Sequence, residues 1–556
     1  MPKRKSVRSL QELCLEKIAR NLERVWIKDY TDDCLGKYHV LPTSQRLCPG
    51  PEVPHQTSLQ RDAFSFHPAG FLVHELLQFM GKRKLLTAAL LGSLLVPQLK
   101  TLDLSICPQL VTKAVVTPLR CKNLSTLVLQ DCNQIPAGTL LGLIKALPRL
   151  LKLNISSTQC NTQVLSAVAS CCRQLRELDI SGCQRLSPYS LFHLAYNPST
   201  GSFCCSGLQI LVLGPLNPRI NREELVWALV FLLLALPNLR SLVHEQLAEA
   251  VCLIYHHLFE DEQVPPAFPS LAMLARCRGA SHPDEAGGEF SLALEEIRYL
   301  NESSWPMVRA VCPRVRKVAM TLAGMPVLGE SFLSTCRIAH LTVGCREKGD
   351  LREVLPLAQS LRLQLDYLSI FNFAFEDELT FHTLLSHCLN VQKLSIRFLS
   401  PTTFASTRRV KMEALTWDRP LPPHPFPYLC KFCLVHSDEG NPLPSRHAAL
   451  LRECLESLLK HSPCLEVLEL VALPFSLDEV FEKVLQPPGQ GALAQLRQLS
   501  LVEGDVSLRA IHLLLSAENQ LSCLSLDACP GMEERAYQEV CQRVAKEGLD
   551  VEILWA

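Results

Sequence analysis

An excess of positive charge is the first thing this sequence lacks: 55 lysines and arginines are balanced by 55 aspartates and glutamates. A neutral chain has no surplus with which to neutralise phosphates or settle on anionic headgroups, so nucleic acid and membrane surfaces are excluded as main partners. Aromatic residues are scarce, at 6%. Long apolar runs are missing too. The longest, Leu225 to Leu236, has twelve residues, where a helix that crosses a bilayer takes about twenty, and it reads as a buried helix. The start, Met1-Pro2-Lys3-Arg4-Lys5, is basic, but Glu12 and Glu16 interrupt the apolar core that a secretory signal requires. A cytoplasmic location is expected, and Lys3 to Lys5 is a candidate nuclear import signal.

The groups that catalysis requires are absent as well. There is no Gly-rich phosphate loop, no H-E-x-x-H pair and no nucleophile elbow. Cys430 and Cys433 have C-x-x-C spacing, but no second pair stands nearby and they fall within a predicted strand. His256 and His257, beside Glu260, Asp261 and Glu262, read as a solvated polar turn, because metal ligation needs spaced ligands on a fixed scaffold. Neither an enzyme nor a bound metal or cofactor is expected.

What the chain has in abundance is leucine, 104 of 556 residues. Leucine without matching aromatics suits a small apolar unit stacked many times. Segments of the form L-x-x-L-x-L, with variants, begin at Leu99, Leu124, Leu150, Leu175, Leu208 and Leu239, the first three intervals being 25, 26 and 25 residues. Their second and third leucines alternate with polar residues, the period of a strand with one face inward and one outward. Between them, apolar residues recur at helical spacing, as at Leu140, Leu141, Ile144 and Leu147, then at Val164, Leu165, Val168 and Cys172. Looser versions begin at Leu294, Val315, Ile338, Leu365, Val391, Leu429, Leu465, Leu496 and Leu521, so about fifteen strands are predicted, with Val551 to Trp555 a candidate last one. Residues 271–289 and the stretch from Pro401 to Pro427 are rich in glycine or proline and read as loops. The organisation that follows is a helical region over 1–90, regular repeats over 91–244, an irregular insertion over 245–290 and looser repeats over 291–556, with a Pro-rich loop at 401–427.

Many of the 25 cysteines occupy recurring repeat positions, and they read as small buried hydrophobes with free thiols. Strand, turn and helix in roughly 25 residues, with Cys107, Cys132 and Cys183 following the strand, resemble the cysteine-containing leucine-rich repeats familiar from ligase receptors of the F-box type. The resemblance implies an α/β fold, a leucine-rich repeat solenoid with parallel strands on its concave face and helices on its convex face, preceded by a small α-helical region.

Ahead of the repeats, Ser9-Leu10-Gln11-Glu12 reads as a capping box. Leu10, Cys14, Ile18 and Leu22 then fall at four-residue intervals on one helix face, with Leu13 beside them. The pattern Ser9-Leu10-x-x-x-Cys14-x-x-x-Ile18 resembles the BC box by which receptor subunits of cullin ligases bind the elongin B/C adaptor. The resemblance implies an adaptor surface of Ser9, Leu10, Leu13, Cys14 and Ile18, with Leu10 entering a pocket of elongin C. A second match, Ala449-Leu450-x-x-x-Cys454-x-x-x-Leu458, lies between two repeat strands, where its apolar face is needed for the core. Pro68, Phe71, Leu72 and Leu76, in the region 67–80, resemble a cullin box, although His67 precedes the proline and Glu75 stands where an apolar residue is expected. The cullin implied is cullin-2 or cullin-5.

Together these features resemble the Zyg-eleven and Zer-type receptors, without their armadillo-like domain. They imply a non-catalytic substrate-recognition subunit of an elongin B/C cullin-RING ubiquitin ligase that holds its target on the concave sheet. Outward residues Asp103, Asn154, Glu177 and Asp179 are candidate substrate contacts, the three carboxylates favouring a basic segment. An F-box-like receptor, and a leucine-rich repeat scaffold with no tie to ubiquitin, are the alternatives.

Overall fold

Each repeat segment builds one strand, which opens two residues after the segment's first apolar residue. The computed structural model describes residues 2, 14, 16–19, 70–112, 121–214, 221–257, 264–279, 291–301, 303–322, 337–374, 377, 379–400, 423–437, 443–486 and 491–555. The chain divides into two compact units, one spanning Arg8–Ala293 and the other beginning at Leu294.

The first unit has β1 (Thr101–Asp103), β2 (Thr126–Val128), β3 (Lys152–Asn154) and β4 (Glu177–Asp179). A short antiparallel hairpin, β5 (Tyr196–Asn197) with β6 (Ser202–Phe203), stands apart, and β7 (Ile210–Val212) and β8 (Ser241–Val243) complete the series. All but the hairpin pair in parallel with the strand of the next repeat, in register. That register aligns Leu102, Leu127, Leu153, Leu178, Leu211 and Leu242 into one inward row, each almost wholly removed from water. Burying such a side chain contributes about 1.5–3 kcal/mol, and stacking is what makes the burial possible. The leading residues Leu99, Leu124, Leu150, Leu175 and Leu208 are fully buried as well.

In the second unit the strands are β9 (Glu296–Asn301), β10 (Lys317–Leu322), β11 (His340–Asp350), β12 (Tyr367–Ala374), β13 (Lys393–Leu399), β14 (Lys431–Ser437), β15 (Val467–Val471), β16 (Gln498–Val502), β17 (Cys523–Asp527) and β18 (Glu552–Leu554). They too pair in parallel and in chain order. Val551 to Trp555 thus contains the closing strand. The fold is the expected α/β solenoid.

Cysteine has a defined place in this stack. The thiols of Cys121, Cys172, Cys183, Cys345 and Cys529 donate to the carbonyls of Val96, Leu147, Ile155, Leu322 and Leu501 at 3.0–3.6 Å, each in the preceding repeat. A small apolar side chain with one weak donor fits where a repeat must close over its neighbour.

Between strands lie helices such as Ala137–Ala146 and Thr162–Cys171, which bury Leu140 and Ile144, and Val164, Leu165 and Val168. The apolar run Leu225 to Leu236 forms most of the helix Arg222–Ala235 and, Trp227 apart, is buried. Among the described residues no helix is long and apolar enough to cross a membrane. In the region 245–290, expected as an irregular insertion, the described residues form no strand. It holds two helices, Leu247–Tyr255 and Leu271–Gly279, and Phe268 between them packs its ring 5.5 Å from Phe192 and 6.0 Å from Phe231. Leu271 and Leu274, buried three residues apart, anchor the second helix, so the expected loop over 271–289 is helical in its first nine residues. Residues 401–422 of the Pro-rich stretch, and Glu260, Asp261 and Glu262, lie outside the described residues.

Candidate functional site

Ser9, Leu10 and Leu13 lie outside the described residues, but residues 14 and 16–19 are helical. Cys14 and Ile18, one turn apart on the same face, are exposed, Ile18 at 37%. Ala19, on a different face, is 6% exposed, and Glu16 turns its carboxylate to Arg83 at 3.5 Å. The helix is therefore held by Glu16 and Ala19, and its cysteine–isoleucine stripe points away from the protein. The second BC-box match behaves oppositely. Within the helix Ser445–Lys460, Cys454 and Leu458 are 3% and 1% exposed, and burial pushes the Cys454 thiol up to about 12. Identical spacing thus gives a presented stripe in one place and a core stripe in the other.

Pro68 lies outside the described residues. The helix that follows it, Gly70–Lys82, buries Val73, Leu76, Leu77, Met80 and Gly81. Its start sits close against the first repeat, since a Cβ on Gly70 would fall 2.4 Å from the carbonyl oxygen of Gln98. Gln78 reaches Asp103 at 3.5 Å, and Arg83 lies 4.5 Å over the Phe79 ring while holding Glu16. Phe71 and Leu72 stay 64% and 44% exposed. Of the candidate cullin contacts, then, Phe71 and Leu72 are presented, whereas Leu76 is corrected to a core residue: the face it shares with Val73, Met80 and Leu77 covers the open end of the repeat stack.

The candidate substrate residues stand on the outward face of the first unit, with Asp103, Asn154 and Asp179 on the ends of β1, β3 and β4. One side-chain oxygen of each of these three already has partners. Oδ1 of Asp103 accepts from the backbone N–H and hydroxyl of Ser105 at 3.0 and 2.6 Å. Asn154 does the same for Ser156 at 2.9 and 2.7 Å, and Asp179 for Ser181 at 2.9 and 2.7 Å. Each is an Asx-type turn that ends a strand. Ser156 is buried. Glu177 pairs with Lys152 at 2.7 Å. Asp103 and Asp179 each spend one carboxylate oxygen on a turn, and Glu177 shares its charge with a lysine of the neighbouring strand. The recurring D/N-x-S triplet was the signal for that role.

Cys430 donates to the carbonyl of Gln392 at 3.1 Å, and Cys433 is buried in β14. Not evident from spacing alone was a gathering of arginines in the second unit. Arg309, Arg314, Arg316 and Arg337 line one cavity of about 640 Å³ with Glu295 and the buried Trp305. The hint was present in the repeats, since Arg314 and Arg337 both immediately precede a segment's first apolar residue, Val315 and Ile338.

Comparison with known protein families finds no match. No curated protein matches the chain either. Among solved structures it is similar to the crystal structure of the Rad7 and Elc1 complex in yeast, at 13% identity and a TM-score of 0.34, over 97% of this chain and 91% of that one.

Proposed function

We propose that this protein is a non-catalytic substrate-recognition subunit of an elongin B/C cullin-RING ubiquitin ligase. The observation that carries the reading is the contrast between the two BC-box matches. The match within the repeats is consumed by the core, whereas the amino-terminal one leaves Cys14 and Ile18 exposed on a helix anchored from its other side. An apolar stripe held outward at helical spacing is the form in which a partner helix or groove is bound. Exposed Phe71 and Leu72, on a helix tied to the first through Arg83 and Glu16, support a neighbouring cullin contact. The repeats then act by proximity, holding a target protein near a ubiquitin-charged enzyme.

The test is capture from cells with wild-type chain and a Leu10→Ser, Cys14→Phe variant, probing for elongins B and C, cullin-2, cullin-5 and a Skp-type adaptor. Recovery of elongins by wild type alone is expected. A Phe71→Asp, Leu72→Asp variant should keep the elongins and lose the cullin. Recovery of the Skp-type adaptor instead, or of neither adaptor, overturns the reading in favour of an F-box-like receptor or a scaffold.

A further inference from the structure

The helix Trp305–Val311 and the turn that follows it bring Arg309 and Arg314 to the edge of the second unit from which its strands start. Arg316, one residue before β10, and Arg337, three residues before β11, complete the cavity wall. All four side chains are exposed, and among the described residues none of them makes an ion pair. Glu295 is the single acidic residue in the lining. Four guanidinium groups around about 640 Å³ repel one another unless an anion enters, and their planar forks match carboxylate and phosphate oxygens.

The cavity does not end the positive surface. In-register pairing aligns Glu296, Lys317, His340, Tyr367, Lys393 and Lys431 into one outward row. Glu296 is held by Arg298 at 2.6 Å, and the His340 ring stacks on Tyr367 with centroids 5.8 Å apart. Lys317, Lys393 and Lys431 are exposed. The next row carries Ala319, Thr342, Ser369 and Ser395, small residues that leave room for a chain, the last three with hydroxyls that can hydrogen-bond to it.

We propose that this edge of the second unit binds an acidic protein segment, whose carboxylate or phosphate groups enter the arginine cavity and whose chain follows the lysine row. Charge complementarity selects the occupant. A protein segment fits better than nucleic acid on two counts. The chain as a whole is neutral, so it supplies no long-range field for a polyanion. The aromatic rings of the row are confined to the one His340–Tyr367 pair, too few for a platform on which successive bases stack. That the bound segment belongs to a ligase substrate rests on the reading above; the binding itself does not.

The experiment is fluorescence anisotropy with the full chain and four probes: a labelled Asp/Glu-rich peptide, its phosphoserine counterpart, an uncharged peptide of equal length, and a single-stranded oligonucleotide of equal charge. Both acidic peptides should bind and the uncharged one should not, with affinity falling as salt rises. An Arg309→Glu, Arg314→Glu, Arg337→Glu variant should bind at least about tenfold more weakly. A Lys145→Glu, Arg185→Glu variant, matched in kind on the exposed surface of the first unit, should bind as wild type. Tighter binding of the phosphopeptide identifies phosphate as the group in the cavity, and equal binding identifies carboxylate. Should the triple reversal fail to fold, judged by thermal unfolding, the Arg→Gln triple replaces it. Undiminished binding by the variant that folds, equal loss in the first-unit control, or an oligonucleotide bound as tightly as the peptides and lost with the same arginines would overturn the proposal. No elongin is present in this assay, so its outcome and that of adaptor capture are independent.

Discussion

Cys14 and Cys454 occupy the same place in two copies of one short pattern and differ in exposure. The thiol of Cys14 is exposed, with those of Cys277 and Cys464, while Cys454, Cys388 and Cys172 are buried and held in the neutral form with values near 12. Since the thiolate is the reacting species, brief alkylation of the native protein followed by peptide mass spectrometry should label Cys14, Cys277 and Cys464 and leave the other three for the denatured chain. Early labelling of Cys454 would contradict its place in the core. Buried histidines show the same control by surroundings. Nδ1 of His436 donates to the carbonyl of Ala472 at 3.1 Å, and Nε2 lies 3.0 Å from the Ser400 hydroxyl, so both ring nitrogens have partners and the ring orientation is fixed.

The helix Gly70–Lys82 carries two roles on two faces, and substitutions separate them. Leu76→Ala should lower unfolding free energy by about 2–5 kcal/mol, the range for a leucine removed from a packed core. Phe71→Ala, at an exposed position, should leave stability within about 0.5 kcal/mol. Chemical denaturation of both variants checks this, and equal stability losses would mean that Phe71 is covered. Strand elements were readable from the chain because alternation of leucine with polar residues has only one structural solution when repeated, and all fifteen predicted segments open a strand two residues on. The hairpin of β5 and β6 was not readable, because two-residue strands carry no periodicity. Nor was the packing of Phe268, where a lone aromatic within a stretch of prolines seats itself against helices far away in sequence. At the candidate site, residue spacing located the presented stripe, but only burial could tell it from its double at Cys454. The turn-forming part of Asp103, Asn154 and Asp179 was not legible for a related reason: a polar residue on an outward strand position can serve its own backbone as well as a partner.

At the scale of the whole molecule, buried titratable groups set the pH window of stability. Burial holds the imidazoles of His193 and His244 below the ordinary value of 6.5, and His244 Nδ1 also accepts the N–H of Gln246 at 3.2 Å, which a protonated ring could not do. Below that value the unfolded chain takes up protons that the folded one refuses, so stability falls as pH drops. The thiols act at the other end. Burial pushes Cys107 and Cys121 up to about 11 and Cys132 up to about 12 from 9.0, so above that value the unfolded chain loses protons that the folded one keeps, and stability falls as pH rises. The melting temperature should form a plateau between about pH 6.5 and 9 and decline on both sides, as differential scanning fluorimetry would record. A melting temperature that stays level through both flanks would mean that these groups titrate alike folded and unfolded. The aligned row at the strand starts of the second unit has a consequence of another kind. Its strands repeat about every 4.8 Å, whereas side chains on one side of an extended peptide repeat about every 6.7 Å. Laid across the strands, the two series act as a vernier, coinciding roughly once in seven strands. Such a ruler reads how densely charge is written along a ligand rather than the order of its letters, so any segment bound along the lysine row is selected as a composition and tolerates shuffling of its sequence.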